Sequence, residues 1–278
     1  MNINFYIIPS PIGNLDDITI RSIQVLNRLD FLVVENRSKA KIILQKHEVQ
    51  IEKILVYNDK SNQRDRNKII NLLKCQLSGG IMSEAGTPLI SDPGYKLIKE
   101  LIRLNVPIVP LPGATSVISS LVASGLPTNS FKFVGFFPRI KKDAKSLCEN
   151  INIFNGTTIM FESPKRLLQT LCLIDQEIGS SAEVCVAKEI TKIHENFFRG
   201  TPKELINLLS NNKNLIKGEF VILIRTLDID ESYVLADKIY NHISSKITLK
   251  ESAKIVSEIT GINRNKIYKR FLSFSKNS

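Results

Sequence analysis

One stretch constrains this chain more than any other: residues 79–116, GGIMSEAGTPLISDPGYKLIKELIRLNVPIVPLPGATS. Two short apolar runs, Ile81-Met82 and Val106 to Leu111, each end in a loop of small residues and prolines, Ser83–Pro88 and Pro110–Ser116. Between them Leu97, Ile98, Leu101 and Ile102 recur at the i, i+3, i+4 spacing of a helix that spans about Tyr95–Leu104. The pattern is strand, loop, helix, strand, loop. Gly86 and Gly113 lack a Cβ, so the backbone there can adopt φ > 0 or lie close to a ligand. A single loop of this kind would be read as a turn. Two such compact loops at the ends of strands point to a ligand site at the carboxyl edge of an α/β sheet.

The rest of the first half repeats that alternation. Phe5–Ile8 reads as a strand running into Pro9–Asn14, after which Asp16 or Asp17 is placed to cap a helix. Strand Phe31–Val34 ends in Glu35-Asn36-Arg37-Ser38 and a second helix. Strand Ile54–Val56 precedes the polar loop Tyr57–Gln63 and a helix around Arg66–Leu77. Strands alternating with helices require right-handed crossovers and a parallel sheet, so all five loops that follow strands open at one edge. The helix of residues 114–124 ends at Gly125-Leu126-Pro127, where a second α/β unit starts. Its strands are expected at Phe131–Phe137, Thr157–Phe161, Val184–Ala187 and Phe220–Ile224. Residues 138–142 read as a basic loop, and a helix over 165–178 is expected to be capped by Ser163. The expected division is 1–124, 125–230 and a helical tail, 231–278. In the tail Leu249, Ala253, Val256 and Ile259 form an apolar face. The turn at Gly261 and a helix bearing Arg264, Lys266, Lys269 and Arg270 fit a helix-turn-helix and a solvated capping pair equally well.

Composition narrows the class of partner. The net charge of +11 favours a polyanion, and the last 48 residues carry nine Lys or Arg against four Asp or Glu. No run of 18 apolar residues predicts a membrane span, and the N-terminus lacks the pattern of a signal peptide. The four scattered cysteines and three isolated histidines form no metal-ligand spacing, so no metal is expected, and they suit a reducing cytoplasm. There is no G-x-x-x-x-G-K-[ST] and no G-x-G-x-x-G after the first strand, which disfavours nucleoside triphosphates and dinucleotides.

The segments P-S-P-I-G-N-L-D-D-I-T at 9–19, S-E-A-G-T-P-L-I-S-D-P-G at 83–94 and V-P-L-P-G-A-T-S at 109–116 resemble the tetrapyrrole methylase superfamily of S-adenosylmethionine-dependent methyltransferases. G-L-P at 125–127, G-F-F-P at 135–138, F-E-S-P-K-R-L at 161–167 and K-E-I-T-K-I-H-E at 188–195 narrow the likeness to the branch acting on the 2′-hydroxyl of a decoding-region cytidine in 16S rRNA. The resemblance covers nearly the whole chain. It implies an N-terminal parallel sheet with helices on both faces, a C-terminal mixed α/β domain forming the other wall of a cleft, and a homodimer. The small ribosomal subunit is the implied partner. It places S-adenosylmethionine against Pro9, Gly13, Glu84, Ala85, Gly86, Thr87, Pro88, Pro112, Gly113, Ala114, Thr115 and Ser116, with Phe161, Ala187 and Glu219 opposite. Glu35, Glu162, Lys188 and Glu189 are the candidates for a general base, and the sequence leaves the choice among them open. Arg37, Arg139, Lys141, Lys142 and Arg166 are the candidates for RNA phosphate contacts. The chain departs from the family where Glu84 replaces an aspartate, where E-N-R-S at 35–38 replaces E-D-T-R, and where Lys188 stands at a common arginine position. Two rival readings are a methyltransferase acting on a tetrapyrrole or diphthine precursor, and an RNA-binding assembly factor without catalysis.

Overall fold

A computed structural model describes residues 4–226 and 231–276. The first half builds a sheet from β1 (Phe5–Ile8), β2 (Phe31–Val34), β3 (Lys53–Val56), β4 (Gly79–Met82) and β5 (Ile108–Pro110). All neighbours are parallel, in the order β3-β2-β4-β1-β5. Helices α1 (Ile20–Leu26) and α2 (Arg37–Lys46) cover one face, packing Leu26, Ile43 and Leu44 against Ile8, Leu32, Val34 and Met82. Helices α3 (Gln63–Lys74) and α4 (Tyr95–Arg103) cover the other, packing Ile69, Leu73, Leu97 and Leu101 against Phe5, Phe31, Val33 and Ile81. Strands buried on both faces read as unbroken apolar runs, which is why the sequence locates them. The neighbours β1 and β4 send their chains in opposite directions, toward β2 and toward β5. Such a switch of direction opens a crevice at the carboxyl ends.

Local caps set the helix starts. Thr19, not Asp16 or Asp17, caps α1 by accepting from the Ser22 N–H; Asp16 instead pairs with Lys46 at 3.3 Å. Asn62 and Asp65 form a reciprocal capping box that starts α3 at Gln63, three residues before Arg66.

Helix α5 (Ser116–Ser124) leads into β6 (Phe131–Phe136), α6 (Lys141–Asn152), β7 (Thr157–Glu162), α7 (Leu167–Glu177), β8 (Ala182–Lys188), β9 (Asn196–Gly200), α8 (Pro202–Ser210) and β10 (Phe220–Thr226). The second sheet runs β6-β7-β10-β8-β9; β6 and β7 are parallel and the other pairs antiparallel. One face carries α6, α7 and α8, with Cys148, Leu171 and Leu205 in the core beside Met160, Val186 and Ile222. The other face receives α5, whose Val117 and Leu121 meet Ile159, Cys185, Val221 and Leu223, together with Ile12 from the loop after β1. Ile12 and α5 thus tie the two sheets together.

Three expectations need correction here. Lys141 and Lys142 belong to the first turn of α6, a helix that buries Ala144, Cys148 and Ile151, and not to a loop. Strand β9 was not anticipated, because it is an edge strand that buries Phe198 alone. Ser163 does not cap α7, which begins at Leu167 after a turn in which the Arg166 and Leu167 N–H groups both donate to Ser163 O at 3.1 Å.

The tail forms α9 (Glu231–Ile243), α10 (Leu249–Thr260) and α11 (Arg264–Lys276), gathered around Ala236, Tyr240, Ala253, Val256, Ile267 and Phe271. Tyr240 and Phe271 stack with centroids 3.9 Å apart. Ile259, expected on the buried face, is 59% exposed. Arg270 makes two bonds to Asp237, at 2.8 and 2.6 Å, so this cation is used inside the helical unit while Arg264, Lys266 and Lys269 remain exposed. Among the described residues no helix is long and apolar enough to cross a membrane.

Candidate active site

Three loops at the carboxyl edge of the parallel sheet are joined by hydrogen bonds, two of them backbone to backbone. Ser10 and Gly86 exchange N–H···O bonds of 2.9 and 3.0 Å, and the Ser10 hydroxyl donates to Ser83 O at 3.1 Å. The Thr87 hydroxyl donates to Ala114 O at 3.0 Å. Gly113 packs on Pro9 so closely that an added Cβ would stand 2.5 Å from the proline Cβ, and Gly86 has φ +80°. Ala85, Gly86, Thr87, Thr115 and Ser116 face the crevice, with Pro9 and Gly113 braced behind them. Gly13 lies further along, where Lys192 and Thr191 close on it.

The facing wall is made of side chains. Phe136, Phe161, Glu162, Glu219 and Val221 come from the second sheet or its edge and, with the loops, enclose a cavity of ≈ 250 Å³. That is close to the lower end of the ~300–1,000 Å³ usual for small-molecule sites. Phe161 meets Phe133 and Phe136 edge-on, with centroids 4.8 and 5.5 Å apart. Ala187 is wholly buried in the layer beneath.

The candidate bases fall into different environments. Glu162 is 3% exposed and fully engaged: Oε2 accepts from Thr170 at 2.6 Å and Oε1 from the Ser163 N–H at 2.7 Å, with Arg166 at 3.5 Å. Glu189 and Glu219 both bind Lys192, at 2.9 and 3.0 Å, and Glu189 also accepts the Glu219 N–H at 2.8 Å. Burial opposes ionisation of Glu189, but Lys192 and that N–H hold its carboxyl below the ordinary value. Lys188 is 7% exposed and lies in one cross-strand row with Phe220 and Glu162; neither it nor Glu189 lines the cleft. Burial, then the charges of Glu84 and Asp59, raise Glu35 against the opposing hydrogen bond from the Glu84 N–H.

The basic candidates separate too. Arg37 donates to Ile54 O at 2.6 Å, tying α2 to β3. Arg139, Lys141 and Arg166 border a second cavity of ≈ 340 Å³ beside Phe137 and Pro138, whose carbonyls accept from Arg166 at 3.1 and 2.9 Å. Lys142 is exposed beside it. Among the described residues no group of His, Cys, Asp and Glu is assembled to hold a metal ion.

Residues 4–206 match the family model described as Tetrapyrrole (Corrin/Porphyrin) Methylases. The chain belongs to the tetrapyrrole methylase family. Within that family, the ribosomal RNA small subunit methyltransferase I of Hydrogenobaculum sp. (strain Y04AAS1) is 41% identical over 219 residues, 79% of this chain and 94% of that one. Its counterpart in Vibrio cholerae is 36% identical over 268 residues, 95% of this chain and 92% of that one. This tetrapyrrole methylase shares its fold with the solved structure of diphthine synthase (TM-score 0.61, 12% identity, 81% and 90% coverage). A cobalt precorrin-4 methyltransferase is similar as well (TM-score 0.57, 17% identity, 80% and 94% coverage).

The departure at residues 35–38 of this methylase has a plain structural account. Asn36 caps α2, its side chain accepting from the Ser38 N–H at 2.9 Å, and asparagine caps a helix as well as aspartate does. Sequence reasoning overlooked Phe136, which is 58% exposed at the mouth of the cleft, and Asp92, which lines it. Asp92 was within reach, since it lies in the S-D-P-G run directly after the small-residue loop.

Proposed function

We propose that this methylase transfers a methyl group from S-adenosylmethionine to the ribose 2′-hydroxyl of a decoding-region cytidine in 16S rRNA, with the small ribosomal subunit as substrate. The observation that carries this reading is the crevice itself: three hydrogen-bonded loops of small residues facing an aromatic wall, in a chain whose relatives are named for rRNA methylation. The residues fit such a donor. Gly86 leaves backbone bare, Thr87, Thr115 and Ser116 offer hydroxyls, and Glu35, Glu84 and Asp92 give this edge a negative potential inside a protein of net charge +11. Carboxylates there favour a cationic ligand over the neutral product left after transfer.

When bound, S-adenosylmethionine supplies a methyl already activated on a sulfonium. The protein's task is then to hold the acceptor oxygen in line and to accept its proton. Positioning of this kind supplies up to ~7–11 kcal/mol in well-oriented systems. Phe136 offers an exposed ring for a base to stack on, and Arg139 and Lys141, at the second cavity, would take phosphates of the same RNA. Residues 1–124 serve the donor, 125–230 the acceptor, and the tail, with Arg264, Lys266 and Lys269 exposed, docks on RNA. The working unit is a homodimer. The test is to incubate the purified protein with labelled donor and small subunits from cells lacking this methylation, then digest the rRNA to nucleosides for mass spectrometry. 2′-O-methylcytidine is expected. Label on a base, or none, overturns the proposal.

A further inference from the structure

The ≈ 340 Å³ cavity beside Phe137 is a separate space from the cleft, yet the two share a wall. Phe136 lines the cleft and Phe137 the second cavity, so residues ~3.8 Å apart at Cα stand on its two sides. The same holds at the end of β7. Glu162 lines the cleft, while Thr170, which donates to its carboxylate at 2.6 Å, and Arg166, 3.5 Å from it, line the second cavity. Arg166 is spent on this wall, since it also donates to the Phe137 and Pro138 carbonyls.

The lining of the second cavity suits a nucleotide. Helix α7 brings Gln169, Leu173 and Gln176 to it at the i, i+4, i+7 spacing of one helix face. Leu173, Phe137, Pro138 and Ala144 supply apolar surface. The Gln169 and Gln176 amides are exposed and form no hydrogen bond with another described residue, so each offers a donor and an acceptor to a base edge. Arg139 and Lys141 are exposed and form no ion pair with a described residue, which leaves both cations for a phosphate. The Lys145–Glu177 pair, at 3.8 Å, ties together α6 and α7, the helices on either side.

We propose that this cavity is the subsite for the nucleotide adjoining the methylated cytidine, an assignment that rests on RNA being the acceptor. Gln169 and Gln176 read the edge of its base, and Arg139 and Lys141 neutralise its phosphate. Proteins that read single-stranded RNA splay neighbouring bases into separate contacts. Two cavities on opposite sides of one thin wall give adjacent nucleotides such separate places.

The cavity contains its own reporter. Cys172 lines it and is exposed, Cys75 is exposed at the end of α3, and burial pushes the Cys148 and Cys185 thiols up to about 11. N-ethylmaleimide should therefore label Cys172 and Cys75 in the full chain. Small subunits lacking the methylation should protect Cys172 in proportion to their binding, as read by peptide mass spectrometry. Alkylating Cys172 beforehand should raise KM for subunits and leave kcat and donor affinity unchanged. Cys172→Ser, alkylated at Cys75 alone, should behave as wild type.

The double variant Gln169→Ala/Gln176→Ala tests the reading of the base. Its KM for subunits should rise about 5- to 150-fold with kcat kept. Subunits substituted at the nucleotide on one side of the target should be discriminated by the wild type and not by this variant. Cys172 labelled at an undiminished rate in the complex overturns the subsite. So does a double variant with unchanged KM and discrimination, or one that loses donor affinity in step. Wild-type protein that binds subunits and donor but makes no 2′-O-methyl nucleoside overturns instead the substrate reading on which the subsite rests.

Discussion

The two walls of the cleft are built from different material. On the parallel-sheet side the crevice meets backbone and small side chains, joined loop to loop by the Ser10–Gly86 and Thr87–Ala114 bonds. On the mixed-sheet side it meets Phe136, Phe161, Glu162 and Val221. Backbone groups survive substitution of the residues that carry them, so a backbone wall suits the ligand that every family member shares. Side chains change freely, and the proposed function gives that wall the acceptor. Solved structures named for precorrin and diphthine chemistry share this fold at 12–17% identity.

The contrast can be broken most forcefully at Gly113. Gly113→Val would drive a side chain into Pro9, 2.5 Å from where the first carbon would stand, and push apart the loops after β1 and β5. Donor affinity by calorimetry should fall at least ~100-fold, while circular dichroism reports an intact fold. Unchanged affinity would show that the backbone wall is not the donor's. Next in size is Phe136→Ala on the opposite wall. Loss of a base-stacking ring costs ~1–3 kcal/mol, so rRNA affinity should drop about 5- to 150-fold with donor affinity unchanged. Equal loss of both would erase the distinction between the walls.

Arg139→Ala and Lys141→Ala sharpen the picture around the second cavity. Each should reduce the slope of log affinity against log salt by ~1 while leaving donor binding alone. The smallest effect is expected for Lys192→Met, which removes the bridge between Glu189 and Glu219. Both ion pairs are partly exposed, so the loss should stay within ~1 kcal/mol by denaturant titration. Because Glu189 is held below its ordinary value, the stability it contributes is present above pH 4.5 and is lost as pH falls through its folded pKa. The difference between variant and wild type should shrink over the same range.

The parallel sheet was legible because strands covered by helices on both faces read as continuous apolar runs, and because Gly and Pro mark the loops between them. The second sheet was harder. Helix α6 opens on Lys141, Lys142 and Asp143 and buries only a narrow stripe, so its charges hid its period. Strand β9 lies at an edge and buries Phe198 alone, too little for an alternation to register. In the tail Ile259 carries the period of a buried face but lies outside it, since Ile267 and Phe271 of α11 fill the core.

Within the candidate site, the loops could be read from residue type alone, whereas the standing of each carboxylate could not. Glu162 is consumed by partners one and eight residues along the chain. The character of Asp92 comes first from burial and then from Glu35, Glu84 and Asp59, which meet it only after three separate loops converge. Local pattern carries no information about that convergence.

The most direct test of the two-walled cleft is a crystal structure of the full chain grown with S-adenosylhomocysteine. The account predicts the ligand between Gly86, Thr87, Thr115 and Ser116 on one side and Phe161 on the other, bonded chiefly to backbone on the first. Ligand density anywhere else on the protein, or a ligand held mainly by side chains of the second sheet, would contradict it.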